Sequence, residues 1–273
     1  MAPVRAAGFA ERLWLVAGVI TSAAVAALLS FHGLPSSATD RGRPSASQSA
    51  YALTALPAAF TAQRVMRLTD AAGATRWAAV VHATVARRAP SFESAPVGPV
   101  RTRTGDGTTN ILVADAEAER GGVLWERVRL AVLPNGTQGW VPRSSLGGWT
   151  FVETRLVIDR ARLTATLLRA GRVVFRAPVA IGAPSTPTPA GGFYVRDRLS
   201  GFSNPMYGPL AFGTNARSPT LTDWPQGGVV GIHGTDRPDL IPGRVSHGCI
   251  RLKNAAIVTL GRLMPVGTPV TIT

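Results

Sequence analysis

Ser246-His247-Gly248-Cys249-Ile250-Arg251 holds the only cysteine of the chain and follows Gly231-Ile232-His233-Gly234-Thr235, with Cys249 sixteen positions after His233. A solitary thiol with two histidines close by reads as a nucleophile and its base, because sulfur attacks carbonyls as the thiolate and a neighbour must take the proton. A free cysteine is also a common small core residue. The neighbours argue against that role: Ser246, His247 and Arg251 are poor material for a dry interior, and Gly248 suits a strand end or tight turn that presents a side chain. A zinc site built from His233, His247 and Cys249, with Asp236 or Asp239 as a fourth ligand, is the other alternative, although zinc motifs usually show tighter paired spacings. The preferred reading therefore carries no metal and no cofactor.

Outward from this segment the sequence is rich in β-type runs. Thr154-Arg155-Leu156-Val157-Ile158-Asp159, Leu163 to Leu168 and Arg172 to Gly182 read as strands on the amino-terminal side, and Gly267 to Thr273 as a closing strand. Between them, Asn254 to Leu263 has helical periodicity, with Asn254 placed to cap it. Residues 151–273 are thus expected to form a mostly β catalytic domain with a short helix near the site, following a Gly147-Gly148 hinge.

A second β-rich stretch covers residues 77–148. Ala79 to Ala86, Ile111 to Ala114 and Leu124 to Leu130 are its strand-like runs, separated by Thr104-Gly105-Asp106-Gly107 and Leu133-Pro134-Asn135-Gly136 as turn material. This predicts a small all-β barrel. Through Trp125 with Val128, and then Gly139-Trp140-Val141-Pro142, the stretch resembles bacterial Src-homology-3-like domains, which in envelope enzymes commonly accompany a catalytic domain. Trp125 and Trp140 read first as core aromatics and second as a ligand platform. His82 reads as ordinary packing or surface. Residues 51–76 fit short helices or a packing arm, and no function is assigned to them.

At the amino terminus, Arg5 and Arg12 precede a nearly uncharged run from Leu13 to Phe31, about long enough to cross a bilayer as a helix. The basic leading side places residues 1–12 in the cytoplasm and the remainder outside, in the cell envelope. Residues 13–31 read as a retained membrane anchor; a cleaved signal needs a small-residue site, for which Ser36-Ser37-Ala38 is the candidate. Residues 32–50, rich in Pro and Ser, read as a disordered linker. An exported chain with one cysteine cannot close an internal disulfide, so its stability must come from packing.

The formal net charge is +14, with Lys253 the single lysine among otherwise arginine cations, and these are spread over all segments. A nucleic-acid binder would gather charge on one face with aromatics between, so nucleic acid is excluded as the expected partner. Anionic envelope polymers, the lipid surface and acidic peptides fit better. Oligomeric state is not readable.

Residues from about 152 to 273 resemble the YkuD-type catalytic domain of the L,D-transpeptidases. Three motifs carry the resemblance: Thr186-Pro187-Thr188-Pro189-Ala190-Gly191-Gly192-Phe193, Ile232-His233-Gly234-Thr235, and Ser246-His247-Gly248-Cys249-Ile250-Arg251. It implies a mainly β enzyme that cross-links peptidoglycan stem peptides, as donor and acceptor, through an acyl-enzyme on Cys249. It makes His233 the base, with the Gly234 carbonyl orienting it and Asp236 the local rival for that task. His247 becomes a site-shaping residue in the substrate-binding region. Backbone N–H groups at Gly248 and Cys249 are expected to form the oxyanion hole. Arg251 could hold a substrate carboxylate or pin the loop, Ser246 is expected to hydrogen-bond within the loop, and Tyr207 lies where the family has a substrate flap. Relatives often carry an acidic residue two positions after Asn254, where this chain has Ala256. Water in place of an amine would make the same residues an L,D-carboxypeptidase, and a non-catalytic wall-binding scaffold would keep only the fold.

Overall fold

The computed structural model describes residues 65–67, 74–221 and 228–273. The expected cytoplasmic segment, anchor and linker, and most of the 51–76 arm, lie outside the described residues. No helix among those described is long and apolar enough to cross a membrane.

Eight strands make the first sheet: β1 (Met66–Arg67), β2 (Thr75–Val80), β3 (Thr84–Arg87), β4 (Pro96–Val100), β5 (Ile111–Arg120), β6 (Val123–Arg129), β7 (Gln138–Pro142) and β8 (Leu146–Val152). They pair antiparallel in the order β4-β3-β7-β6-β5-β2-β8, with β1 added to β5. Burial in β6 does not simply alternate: Trp125, Glu126 and Val128 are buried while Leu124 is exposed, and Trp125 and Val128 belong to two separate apolar clusters. Trp125 packs with Ala116, Ala118 and Trp140, and its ring lies 4.8 Å from that of Phe92. The run Ala79 to Ala86, expected as one strand, is divided in two. Residues 81–83 are exposed and leave the ladder, and the Val81 and His82 N–H groups both donate to Ser145 O. Gly147 and Gly148, expected as a hinge, lie inside β8, where its register against β2 shifts between Ala78 and Val80.

The second sheet has ten strands: β9 (Thr154–Asp159), β10 (Thr164–Arg169), β11 (Arg172–Pro178), β12 (Ala180–Gly182), β13 (Gly191–Ser200), β14 (Leu210–Arg217), β15 (Val229–His233), β16 (Gly243–Ser246), β17 (Ile250–Arg251) and β18 (Pro269–Ile272). Their order is β11-β10-β9-β18-β13-β14-β15-β17-β12-β16. Outer strand β11 shows Val173 and Val174 to solvent, whereas β14 is buried along nearly its whole length, as its central place requires. The core of this sheet includes Leu156, Ile158, Phe212, Ile232, Ile250 and Leu252, all fully buried. Removing such a side chain from water is worth about 1.5–3 kcal/mol each.

The single α-helix among the described residues, α1 (Asn254–Leu263), turns Ile257 and Leu260 into that core. The described residues are therefore mainly β with one short α-helix.

Side chains tie the two sheets together. Tyr194 is fully buried, and its hydroxyl donates towards the carbonyls of Ile111, at 3.1 Å, and Arg129, at 3.3 Å. Asn135 exchanges two hydrogen bonds with the Arg217 backbone, and Trp77, Val113 and Val266 pack around Tyr194.

Candidate active site

Strand pairing brings the two sequence motifs together. β15 and β17 run parallel with Ile232 opposite Ile250 and His233 opposite Arg251, so Cys249 enters β17 beside Gly231. The buried isoleucines explain the register, since slipping it by one residue would turn both to the wrong face. A β-carbon placed on Gly231 would lie 3.9 Å from both Cys249 Sγ and His233 Cδ2, so sulfur and imidazole border the same small space. Both line one cleft, together with Tyr207, His247 and Arg251.

His233 is buried, and its Nδ1 lies 2.6 Å from the carbonyl oxygen of Gly234. A carbonyl only accepts, so Nδ1 carries the proton and Nε2 keeps its lone pair. Gly234 O, not Asp236, is thus the group that orients the ring. The Tyr207 ring and the imidazole form a T-shaped pair, with ring centres 5.1 Å apart.

Cys249 is half-buried. Its sulfur accepts from the Gly231 N–H at 3.4 Å and faces the Val229 carbonyl at 3.9 Å; among the described residues no hydrogen bond joins it to His233. Catalytic contacts commonly tighten only when substrate binds, so the absence of this bond at rest does not exclude proton transfer.

The electrostatics fix the resting state. Burial pulls His233 down from 6.5 to about 4; the Gly234 hydrogen bond opposes this and the Arg251 charge adds to it. Burial also pushes the Cys249 thiol up, while the Gly231 N–H and Arg251 draw it part of the way back. At neutral pH the site therefore holds an uncharged thiol beside an uncharged imidazole.

The loop before the sulfur is held by hydroxyls. Ser246 is buried; its Oγ donates to Cys249 O at 2.5 Å and accepts the Gly248 N–H at 3.2 Å. The Gly248 N–H, expected to face a substrate oxygen, is engaged within the loop in this structure. Gly248 has φ +111°, a conformation closed to residues with a β-carbon. His247 is exposed at the cleft mouth, and Arg251 is half-buried with its Nε unpaired among the described residues. No group of three His, Cys, Asp or Glu side chains that could hold a metal is found among the described residues.

Two contributors were not visible in the sequence. Thr188 belongs to one of the three family motifs, but nothing in that motif points to the Gly248 carbonyl, which its Oγ1 reaches. Asn254, expected as the helix cap, is instead the first residue of α1 after a Lys253 cap, and its Oδ1 accepts the Thr235 N–H at 2.9 Å. It thereby braces the backbone just beyond His233.

Residues 153–272 match the family model of the YkuD L,D-transpeptidase catalytic domain. YkuD of Bacillus subtilis (strain 168) is 37% identical over 121 residues, covering 44% of this chain and 66% of that protein. YkuD of Bacillus licheniformis is 33% identical over 122 residues, covering 45% of this chain and 67% of that protein. The chain thus spans about two thirds of the length of these curated relatives. Among solved structures, the catalytic domain of an E. faecium L,D-transpeptidase is similar at 25% identity and a TM-score of 0.33, over 44% of this chain and 96% of that one. A buried histidine at the end of one strand and a lone cysteine just before the strand paired with it, inside the matched segment, agree with those sequence relationships: the chain belongs to the YkuD L,D-transpeptidase family.

Proposed function

We propose that the protein is a peptidoglycan L,D-transpeptidase that joins the third residues of neighbouring stem peptides through an acyl-enzyme on Cys249. The observation that carries this reading is the placement of Cys249 Sγ and a carbonyl-oriented His233 around one glycine, within a family catalytic domain.

In the proposed reaction, His233 Nε2 takes the Sγ proton as sulfur attacks the carbonyl carbon of the donor's third residue. The carbonyl π electrons move to oxygen. As they return, the bond to the terminal D-alanine breaks, and that amine leaves with the proton from Nε2. The side-chain amine of an acceptor stem then attacks the thioester and gives its proton to Nε2, from which the released thiolate recovers it. One amide is exchanged for another, so no nucleotide is consumed. Because both partners rest uncharged, proton transfer accompanies attack. Arg251 lowers the cost of thiolate character in the same step, and with His247 and Tyr207 it lines the wall where donor would lie.

The wider reading places the domain outside the cytoplasmic membrane, tethered through residues 13–31 and accompanied by a Src-homology-3-like unit over 77–148, among anionic envelope polymers. Mass spectrometry of the protein with a disaccharide-tetrapeptide tests the central claim. An adduct on Cys249 lacking the terminal D-alanine, followed by cross-linked dimer, is expected. Trimmed monomer alone would replace the proposal with an L,D-carboxypeptidase, and no adduct would leave a scaffold.

A further inference from the structure

The nucleophile's own amide is aimed by a side chain 60 residues away in sequence. Thr188 Oγ1 donates to the Gly248 carbonyl at 2.7 Å and accepts the Gly182 N–H at 2.9 Å. Thr188 is buried, and its single proton and a lone pair are both committed, so the hydroxyl has one orientation. Its backbone is restrained by Pro187 and Pro189 on either side. The segment lies flat against Gly182, where a β-carbon would collide with Thr186 O and Thr188 N. Thr186 adds a further tie, its Oγ1 donating to Ser246 O at 3.0 Å.

The Gly248–Cys249 peptide is trans and planar, so its C=O and N–H point in opposite directions. Holding the carbonyl on Thr188 therefore fixes the direction of the Cys249 N–H, away from Thr188. The preceding amide, Gly248 N–H, is occupied by Ser246 Oγ. Among the described residues the Cys249 N–H meets no acceptor. The loop thus keeps one donor unspent, at the residue that carries the sulfur.

We propose that Thr188 is a positioning residue for acyl transfer: by holding the Gly248 carbonyl it directs the Cys249 N–H at the oxygen of the carbonyl under attack. The inference rests on the reading of Cys249 as an acyl-forming nucleophile. When sulfur adds to the carbonyl carbon, the π pair moves to oxygen, and the aimed N–H stabilises that charge until the pair returns and the leaving group departs. Thiol alkylation at a saturated carbon builds no charge on a carbonyl oxygen of this kind, so it should not need the aimed donor.

The experiment compares two reactions of Cys249 in wild type, Thr188→Val, Thr188→Ala and Thr188→Ser: acylation by p-nitrophenyl acetate and alkylation by iodoacetamide. Thr188→Val keeps the shape without the hydroxyl, and Thr188→Ala gives the same information should valine pack poorly. Acylation is expected to fall by about 10- to 100-fold in both, while alkylation stays within about twofold and Thr188→Ser recovers most of the acylation rate. With disaccharide-tetrapeptide the loss should appear in kcat and not in KM. Equal slowing of both reactions would mean that Thr188 only supports the loop, and unchanged acylation would overturn the inference outright. A wild-type thiol that is alkylated but never acylated would instead sink the proposed function.

Discussion

Tyr207 and His233 form a T-shaped pair, with ring centres 5.1 Å apart and planes at 65°, so the base is steadied by an aromatic ring as well as from Nδ1 by the Gly234 carbonyl. Such a pair is worth about 0.5–1.5 kcal/mol beyond area burial. Tyr207→Phe should therefore retain most of the activity and Tyr207→Ala should lose roughly 10-fold in kcat/KM. Steady-state cross-linking by the two variants separates a steadying ring from a hydroxyl that handles substrate, for which Phe would be as damaging as Ala.

Acid should stop this site later than it stops an exposed histidine. His233 remains an uncharged base down to about 4, because burial opposes its protonation. The rate of iodoacetamide inactivation is expected to stay level from pH 7 to pH 5 and to decline only near 4, with a second rise at alkaline pH as the thiol, held above its usual range, ionises unaided. A decline centred near 6.5 would show a solvated imidazole.

Arg251 acts on both partners in the same direction. Its charge lowers the pKa of Cys249 and that of His233, so Arg251→Met should raise both. Thiolate absorbance followed against pH should move to higher pH in the variant, and the acid limb of alkylation should move up with it. Movement of one alone would place the guanidinium against a single partner.

Ser246 closes a tight knot in the nucleophile loop through Gly248 N–H and Cys249 O. Ser246→Ala leaves both groups without their partner in a buried place and should cost about 1–3 kcal/mol in urea unfolding. A midpoint equal to that of wild type would show that water replaces the hydroxyl.

Far from the cleft, the Glu126 side chain is completely buried in the first sheet. It lies 2.8 Å from Arg76, whose guanidinium shares the Trp149 ring with that of Arg143. Burial raises the carboxyl to about 7 despite the Arg76 charge, with Glu117 adding to the rise. The folded protein keeps this proton between 4.5 and about 7 while the unfolded chain has released it, so Glu126 makes stability fall as pH climbs through that window. His233 works in the opposite sense: unfolded chain binds its proton near 6.5 and the folded protein only near 4, so stability rises across that range. Relative to wild type, Glu126→Gln should gain up to about 3 kcal/mol as pH rises from 4.5 to 7. Parallel pH profiles for the two proteins would refute a protonated Glu126.

Legibility in the sequence followed the chemistry of single residues. Cys249 and His233 stood out because thiol and imidazole are few and reactive, and strand patterning in 154–182 followed from alternation that the burial of β9 and β10 repeats. What escaped depends on partners distant in the chain. Gly248 gave no sign that its N–H is engaged by Ser246 Oγ, and Asn254 looked like a cap because its pull toward Thr235 crosses from helix to strand end. Gly147 and Gly148 imitated a hinge, since flexibility of a glycine pair is local while the pairing of the strand that holds them, β8 with β2, is not. Thr188 carried no sign of its reach to Gly248.

The parallel pairing of β15 with β17, flanked by β14 and β12, places His233 in an interior ladder of the larger sheet and Cys249 one residue before β17, in a short loop bound by Ser246 and Thr188. Heat therefore has no way to melt the thiol's surroundings first: loss of catalytic competence and cooperative collapse of the sheet should coincide on one thermal transition, so that every molecule still folded is still armed.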